Sequence, residues 1–495
     1  MQLFDDLIKV SQDLGKYSSI ANSLNWDSQT CMPKKGAPFR AQQLAFIEEQ
    51  IVNLFASSTT KSLIQKLDSH FSEFDDFQKR NIEVFKKAFN RRTAVPKDLL
   101  IENKKQELVT FSVWQEAKHK NDFKLYAPEL AKNISNKQQM TSFIDNDKIP
   151  FDVYLDQYEP GFSSQRIETI FNELRPKIIS LLQKIQSSEI SKKTTGEDFS
   201  LSKSVQQNII HQITSFIGYD ISKGRIDHGE HPMTFSGNNS DDVRFTVNYN
   251  EKNYFDALFA GLHEAGHAIH GQNRLKEYNL YPITMFGGSA GISESQSRFF
   301  ENIIGRSESF WTYYLPLLSK TINKKLNLSD FLLEANKVQF SRIRIHADEL
   351  TYPLHIILRF EIEKGLLDGS IKVTELPNVW NEKFEKYLGL EIKNDSEGVM
   401  QDIHWATGFY GYFPTYALGN IYNAQMYHTM RQELDFDGLL TNGTIGPIRN
   451  WLIENVHKKT GLYDPEEFVK VITHEEVNPK YFISYLVEKF SKLYD

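Results

Sequence analysis

A mainly helical fold with one small β-sheet is the expectation for this chain, and three observations carry it. Apolar residues recur at steps of three and four through most of the 495 residues, the period of helices that bury one face. A single stretch, DDVRFTVNY at 241–249, alternates with a period of two and reads as strand. No run of 18 or more apolar residues occurs, so no membrane-spanning helix is expected.

Each segment has its own reason. AQQLAFIEEQIVNLF (41–55) and NIEVFKKAF (81–89) keep the helical period, as does FEIEKGLL (360–367). In RIETIFNELRPKIISLLQKI the apolar positions are Ile167, Ile170, Phe171, Leu174, Ile178, Leu181, Leu182 and Ile185, with Pro176 among them. A proline there should kink the helix or start a second one. Val243, Phe245, Val247 and Tyr249 alternate with Arg244, Thr246 and Asn248, after the turn-rich SGNN. A strand of this kind could also pair with the backbone of a bound peptide and so favour broad specificity. Neither a fixed-period repeat nor a linker long enough to separate domains is present, so residues 1–495 are expected to form one domain.

Composition narrows the function classes. The chain is 40% hydrophobic and 24% charged, ordinary for a soluble globular protein. Its formal charge of -7 gives no nucleic-acid footprint. With Cys31 as the one cysteine, no intrachain disulfide can form. The start, MQLFDDLIKVSQDLGKYSS, has acids where a signal peptide needs bases. A cytoplasmic protein is expected.

The segment YFDALFAGLHEAGHAIHGQ (254–272) carries the chemistry. Phe255, Leu258, Leu262, Ala265 and Ile269 step by three and four, so the segment reads as an amphipathic helix. His263 and His267 lie one turn apart and leave the same face, with Glu264 between them. This is H-E-x-x-H, in which two imidazoles bind one metal ion and the glutamate serves a water on it. Chance would place about 0.05 such matches in a chain of this composition. The bland alternative is a helix whose histidines only form hydrogen bonds. His270 needs a different ring direction to share the ion and reads as a helix-face histidine.

A catalytic zinc holds three protein ligands and one open position. GISESQSRFFEN follows, with Glu294 and Glu301 seven residues apart, so both could face one way on a second helix. Glu294, at the helix start after GGSAG, is the expected third ligand. Glu301 is either the ligand instead or the partner that orients a histidine. Spacing alone equally allows an ion pair of Glu294 with Arg298.

Six stretches then fall in order: HPMTF (231–235), DVRFT (242–246), HEAGH (263–267), SESQSR (293–298), IRIHADELTY (343–352) and GVMQDIHW (398–405). Together with LNWDSQTCMP, LDQYEPG and GYFPTYALGN they make the chain resemble the thermostable carboxypeptidase (carboxypeptidase Taq) family of zinc peptidases. The resemblance implies a mostly helical fold like neurolysin and angiotensin-converting enzyme. It also implies a deep substrate cleft, which two helical lobes could flank, and a small sheet beside the zinc site. Three departures stand out. Ser293 replaces the usual His before the third-ligand glutamate, Met233 the usual Phe after His-Pro, and TVNY a common Thr-Arg-Tyr.

What the resemblance implies can be given residue by residue. His263, His267 and Glu294 hold one Zn2+, for which Co2+ or Mn2+ could substitute. Glu264 is general base and then general acid. His404 and Tyr412 stabilise the oxyanion, with Tyr416 in reserve, while Tyr410, Tyr412 and Tyr416 could each equally be core packing. Arg344, and second Arg244, would receive the C-terminal carboxylate of a peptide. Asp402 could set the tautomer of His404 or cap the turn. The partners are peptides with a free C-terminus, neither nucleic acid nor membrane, and a second copy of the chain as a homodimer.

Overall fold

Helices dominate the computed structural model, which describes residues 2–193 and 199–494. The chain groups into two compact units. One comprises Met1–Thr93, Thr195–Ala335 and Met426–His474; the other comprises Ala94–Thr194, Asn336–Gln425 and Glu475–Asp495. Each is organised around a helix buried on nearly every side. Among the described residues no helix is long and apolar enough to cross a membrane.

In the first unit that helix is Tyr254–Gln272, here the histidine helix. Asn253 caps it, its side chain accepting from the Phe255 amide, which satisfies one of the orphan N–H groups of the first turn. The sequence suggests an amphipathic helix; the structure surrounds it instead. The helices Lys203–Ile217 and Ala290–Arg298 and the small sheet all pack on it. Around this centre, Leu7, Leu14, Phe55, Leu67 and Phe85 join a separate apolar cluster of the N-terminal helices. Within the helix Ala37–Phe55 only Ile51 and Phe55 are buried, because it lies at the surface against Gln2–Thr30.

The sheet has three strands, β1 (Ile226–His228), β2 (Met233–Ser236) and β3 (Val243–Val247), in the order β1-β3-β2. β3 runs parallel to β1, pairing Ile226 with Phe245, and antiparallel to β2, pairing Thr234 with Phe245. Both edges of β3 are therefore occupied by the protein's own strands. The expectation that it pairs with a substrate backbone fails for that reason. Val243, Phe245 and Val247 are fully buried as the alternation requires. Thr246, on the other face, is buried too, its hydroxyl donating to the His231 carbonyl at 2.9 Å.

The second unit is centred on Tyr352–Asp368, in which only Glu361, Lys364 and Asp368 are not buried. The helix Ser164–Ser187 packs on it and runs through Pro176 without interruption. Eight apolar side chains from Ile167 to Ile185 are buried along it, each contributing about 1.5–3 kcal/mol. Against that total, the roughly 3 kcal/mol cost of an internal proline does not end the helix.

Candidate metal centre and catalytic residues

On the histidine helix Asp256, Ala260, His263 and His267 are the residues that are not buried. They form one stripe, so the surrounding elements leave open the face that carries both imidazoles. Gly266 lets the next element come close. A Cβ there would lie 2.6 Å from the Gln296 carbonyl and 2.7 Å from Ser297 Cα, so the helix Ala290–Arg298 can approach only a glycine. That helix, capped by Ser289, brings Glu294 to the histidines.

His263, His267 and Glu294 each turn one ligand atom to the same point, all within 4.8 Å of one another. Glu294 Oε2 is 3.6 Å from His263 Nε2 and 3.4 Å from His267 Nε2. An ion with tetrahedral bonds of about 2.0–2.2 Å separates its ligand atoms by about 3.4 Å. The far nitrogen of each ring is engaged elsewhere. His263 Nδ1 donates to Glu301 Oε2 at 2.9 Å, and His267 Nδ1 lies 3.1 Å from Ser293 Oγ. Those partners turn the Nε2 lone pairs inward. Three acceptors that face each other at this spacing fit a divalent cation, and two nitrogens with one carboxylate suit zinc.

Glu301 thus orients His263 and does not join the cluster. It sits on a π-helical turn, Phe299–Ile304, that continues the glutamate helix, a feature common at functional sites. Arg298 bonds both acids, with Nε 2.8 Å from Glu294 Oε1 and Nη1 3.0 Å from Glu301 Oε2. The ion pair that spacing allowed is present, buried, on the oxygen of Glu294 that faces away from the histidines. Burial alone would raise the pKa of Glu294, but Arg298 and the two histidines hold it well below the usual carboxylate range. Against the same burial, Arg298 and His263 bring Glu301 to about 2. Glu264 is buried, and its Oε2 accepts from the Thr234 hydroxyl at 2.6 Å. His270 lies fully buried, its Nε2 2.8 Å from the Thr460 hydroxyl.

Arg244 stands on β3 opposite Phe235. Its guanidinium bonds Asp242 through Nε and Nη2 at 2.6 and 2.8 Å and lies over the Phe235 ring.

The remaining expected residues belong to the second unit. Arg344 is 7% exposed. Its Nε and Nη2 donate to Asp402 Oδ1 at 3.0 and 2.9 Å, and Nη1 to the Tyr352 hydroxyl at 3.0 Å. Arg359 takes the other oxygen, Oδ2, at 2.6 Å. Asp402 is therefore committed to two guanidiniums and does not set the tautomer of His404, whose buried Nδ1 has no hydrogen-bond partner among the described residues. Burial, opposed by Asp402 but aided by both arginines, lowers the pKa of His404 to about 4, so the ring is neutral near pH 7.

The Tyr412 ring lies 6.2 Å from His404 and 5.1 Å from Tyr416, and Tyr416 is 5.3 Å from the Arg344 guanidinium. Tyr410 is in the core, its hydroxyl 3.3 Å from Asn133 Oδ1. The sequence reading missed Thr234 beside Glu264, and Arg359 and Glu363 on the central helix. The signal for the last two was available: His355, Arg359 and Glu363 are spaced by four in a mostly apolar segment.

Comparison with known proteins bears on the whole chain. Residues 6–490 match the family model for carboxypeptidase Taq (M32) metallopeptidases. Carboxypeptidase 1 of Bacillus subtilis (strain 168) is 37% identical over 504 residues, covering 100% of this chain and 98% of its own. Thermostable carboxypeptidase 1 of Thermus thermophilus is 31% identical over 505 residues, 99% of each chain. The solved structure of Trypanosoma cruzi metallocarboxypeptidase 1 superposes with a TM-score of 0.95 at 31% identity over 99% of both chains.

Proposed function

The chain belongs to the carboxypeptidase Taq (M32) metallopeptidase family and is a metallocarboxypeptidase; on that premise we propose that its ion is zinc, held by His263, His267 and Glu294. The observation that carries this reading is the convergence of two imidazole nitrogens and one carboxylate oxygen at 3.4 and 3.6 Å. Zinc bound there supplies a Lewis acid for the scissile carbonyl and brings the pKa of a water toward neutrality. Glu264 takes the proton of the attacking water and delivers it to the departing amine. Thr234 occupies its Oε2, so Oε1 is the oxygen left to carry that proton.

His404 and Tyr412 are the donors for the tetrahedral oxyanion, a kind of interaction worth a few kcal/mol per donor. A neutral imidazole at His404 keeps one N–H for that purpose. Arg344, with Arg244 second and Tyr416 beside Arg344, receives the terminal carboxylate. Support comes from charge: among the described residues Arg344 and Arg359 share the one carboxylate of Asp402, so one positive charge of this buried group is left for an anionic ligand.

The test is incubation with peptides whose C-termini are free or amidated, with and without a chelator, read by mass. Single C-terminal residues should leave the free peptides only, the chelator should stop release, and added zinc should restore it. Equal cleavage of the amidated peptides, or activity indifferent to the chelator, overturns the reading.

A further inference from the structure

Glu363 is fully buried at the centre of the second unit, and no cation is bonded to it among the described residues. Its two oxygens are each used by a different part of one segment. Oε2 accepts from the Trp405 indole Nε1 at 2.7 Å, and Oε1 accepts from the Gly411 backbone N–H. Trp405 follows His404 and Gly411 precedes Tyr412. A single carboxylate thus grips both flanks of the segment whose ends are the two proposed oxyanion donors.

We propose that Glu363 is a positioning residue that sets the spacing of His404 and Tyr412 for catalysis. The inference rests on those two residues acting in the reaction as described above.

The local backbone shows why a clamp is needed. Between the two donors the chain makes one 3-10 turn, Trp405–Thr407, and then reverses through Gly408 and Gly411, with φ of 75° and 78°. The Thr407 and Phe409 amides close this turn on the His404 carbonyl at 3.2 and 2.9 Å, but these bonds do not tie the turn to Gly411, which the Glu363 carboxyl does. Gly411 must also be glycine for packing, because a Cβ would lie 2.4 Å from the Leu155 amide nitrogen. Held at both ends, the rings of His404 and Tyr412 stand 6.2 Å apart and within 25° of parallel.

A carboxyl group suits this place better than an amide. Both of its oxygens keep a lone pair for an N–H donor, whether or not one of them carries a proton. Glutamine would turn its NH2 group toward one of the two N–H donors. Burial lifts the Glu363 carboxyl to about 8, against the pull of the Gly411 and Trp405 hydrogen bonds. The protein retains a costly buried acid here although no cation offsets it.

The experiment compares Glu363→Gln and Trp405→Phe with the wild type in the zinc-loaded enzyme, measuring kcat, KM and zinc content. Trp405→Phe removes one donor and leaves the glutamate in place. Misplacement of aimed groups by about 1 Å costs up to about a hundredfold. Glu363→Gln should lower kcat by about 10- to 100-fold with KM within about twofold and zinc content unchanged. Trp405→Phe should show the same split at smaller size. Wild-type kcat in either variant overturns the proposal. So does a parallel loss of kcat, KM and zinc content, which would mark a purely structural role. If Glu363→Gln fails to fold, Trp405→Phe decides alone. His404→Ala and Tyr412→Phe run alongside; wild-type kcat in both would instead sink the assignment of the oxyanion donors.

Discussion

The two central helices place ionisable residues one turn apart, yet they use them in opposite ways. The histidine helix turns His263 and His267 toward its single open stripe, and the helix Tyr352–Asp368 turns His355, Arg359 and Glu363 wholly inward. In the first unit the polar side chains meet partners on another helix, Glu294 on its regular part and Glu301 on the π turn that continues it. In the second they meet an irregular segment, residues 401–411, and act on it in register: Arg359 bonds Gln401 and Asp402, and Glu363 bonds Trp405 and Gly411. One helix presents its polar groups on an open stripe; the other uses them to hold a loop.

The largest effect should come from the exposed stripe. Glu264→Gln removes the proton carrier but none of the three converging ligand atoms. Turnover should fall by about a hundred- to ten-thousand-fold while metal content stays at the wild-type value. Kinetics combined with metal analysis checks this. Metal lost together with activity would mean that Glu264 holds the site together, and the division of labour in the first unit would be wrong.

On the inward-facing side the next effect is on stability. Asp402→Asn leaves two buried guanidiniums opposite a neutral amide, and breaking a buried pair in this way costs about 3–5 kcal/mol. The midpoint of urea unfolding should drop accordingly. A shift no larger than that of a surface substitution would show that solvent reaches the group, and the contrast between the two helices would weaken.

These two outcomes bear on what could be read from the sequence. H-E-x-x-H and Glu294 were legible because helical periodicity turns spacing into direction, and each ligand lies on a regular helix. The strand at 241–249 was legible by alternation, but its place at the middle of the sheet was not, because neighbours in a sheet are set by tertiary pairing. His404 and Tyr412 could be named by resemblance only. Their geometry depends on Arg359 and Glu363, some forty residues earlier in the chain, and on two glycines at positive φ. Spacing left Glu301 between two roles and the resemblance favoured Glu294 as ligand; the bond of Glu301 to His263 Nδ1, from a π turn that no residue pattern announces, accords with that choice.

A smaller effect sharpens the account of the metal-bearing unit. Ser293 lies where the family pattern usually has histidine, and here its hydroxyl is the partner of His267 Nδ1. Removal of such a ligand partner typically weakens metal binding by about 10- to 100-fold. Ser293→Ala should fall at the lower end of that range, because a neutral hydroxyl orients the ring less firmly than a carboxylate does. Competition with a chelating dye measures it, and unchanged affinity would leave Glu301 as the one effective ring anchor.

A last effect separates the two helices by pH. The Glu363 carboxyl is raised from an ordinary 4.5 to about 8 by burial, with no cation to offset it. In that interval the folded chain keeps a proton that the unfolded chain has released, so stability must fall as pH rises. The contribution is fully present below about pH 4.5, declines by at most about 1.4 kcal/mol per pH unit, and is lost by about pH 8. Other groups titrate across the same range, so the informative quantity is the difference between wild type and Glu363→Gln. Glutamine carries no proton to lose, and its unfolding free energy should depend less steeply on pH than that of the wild type. Urea unfolding of both proteins at intervals from about pH 5 to pH 8 reads that difference directly. Two parallel curves would mean that Glu363 is ionised throughout, stabilised by something beyond its two N–H donors, and the second helix would then bury a charge at Glu363 as well as at Arg359.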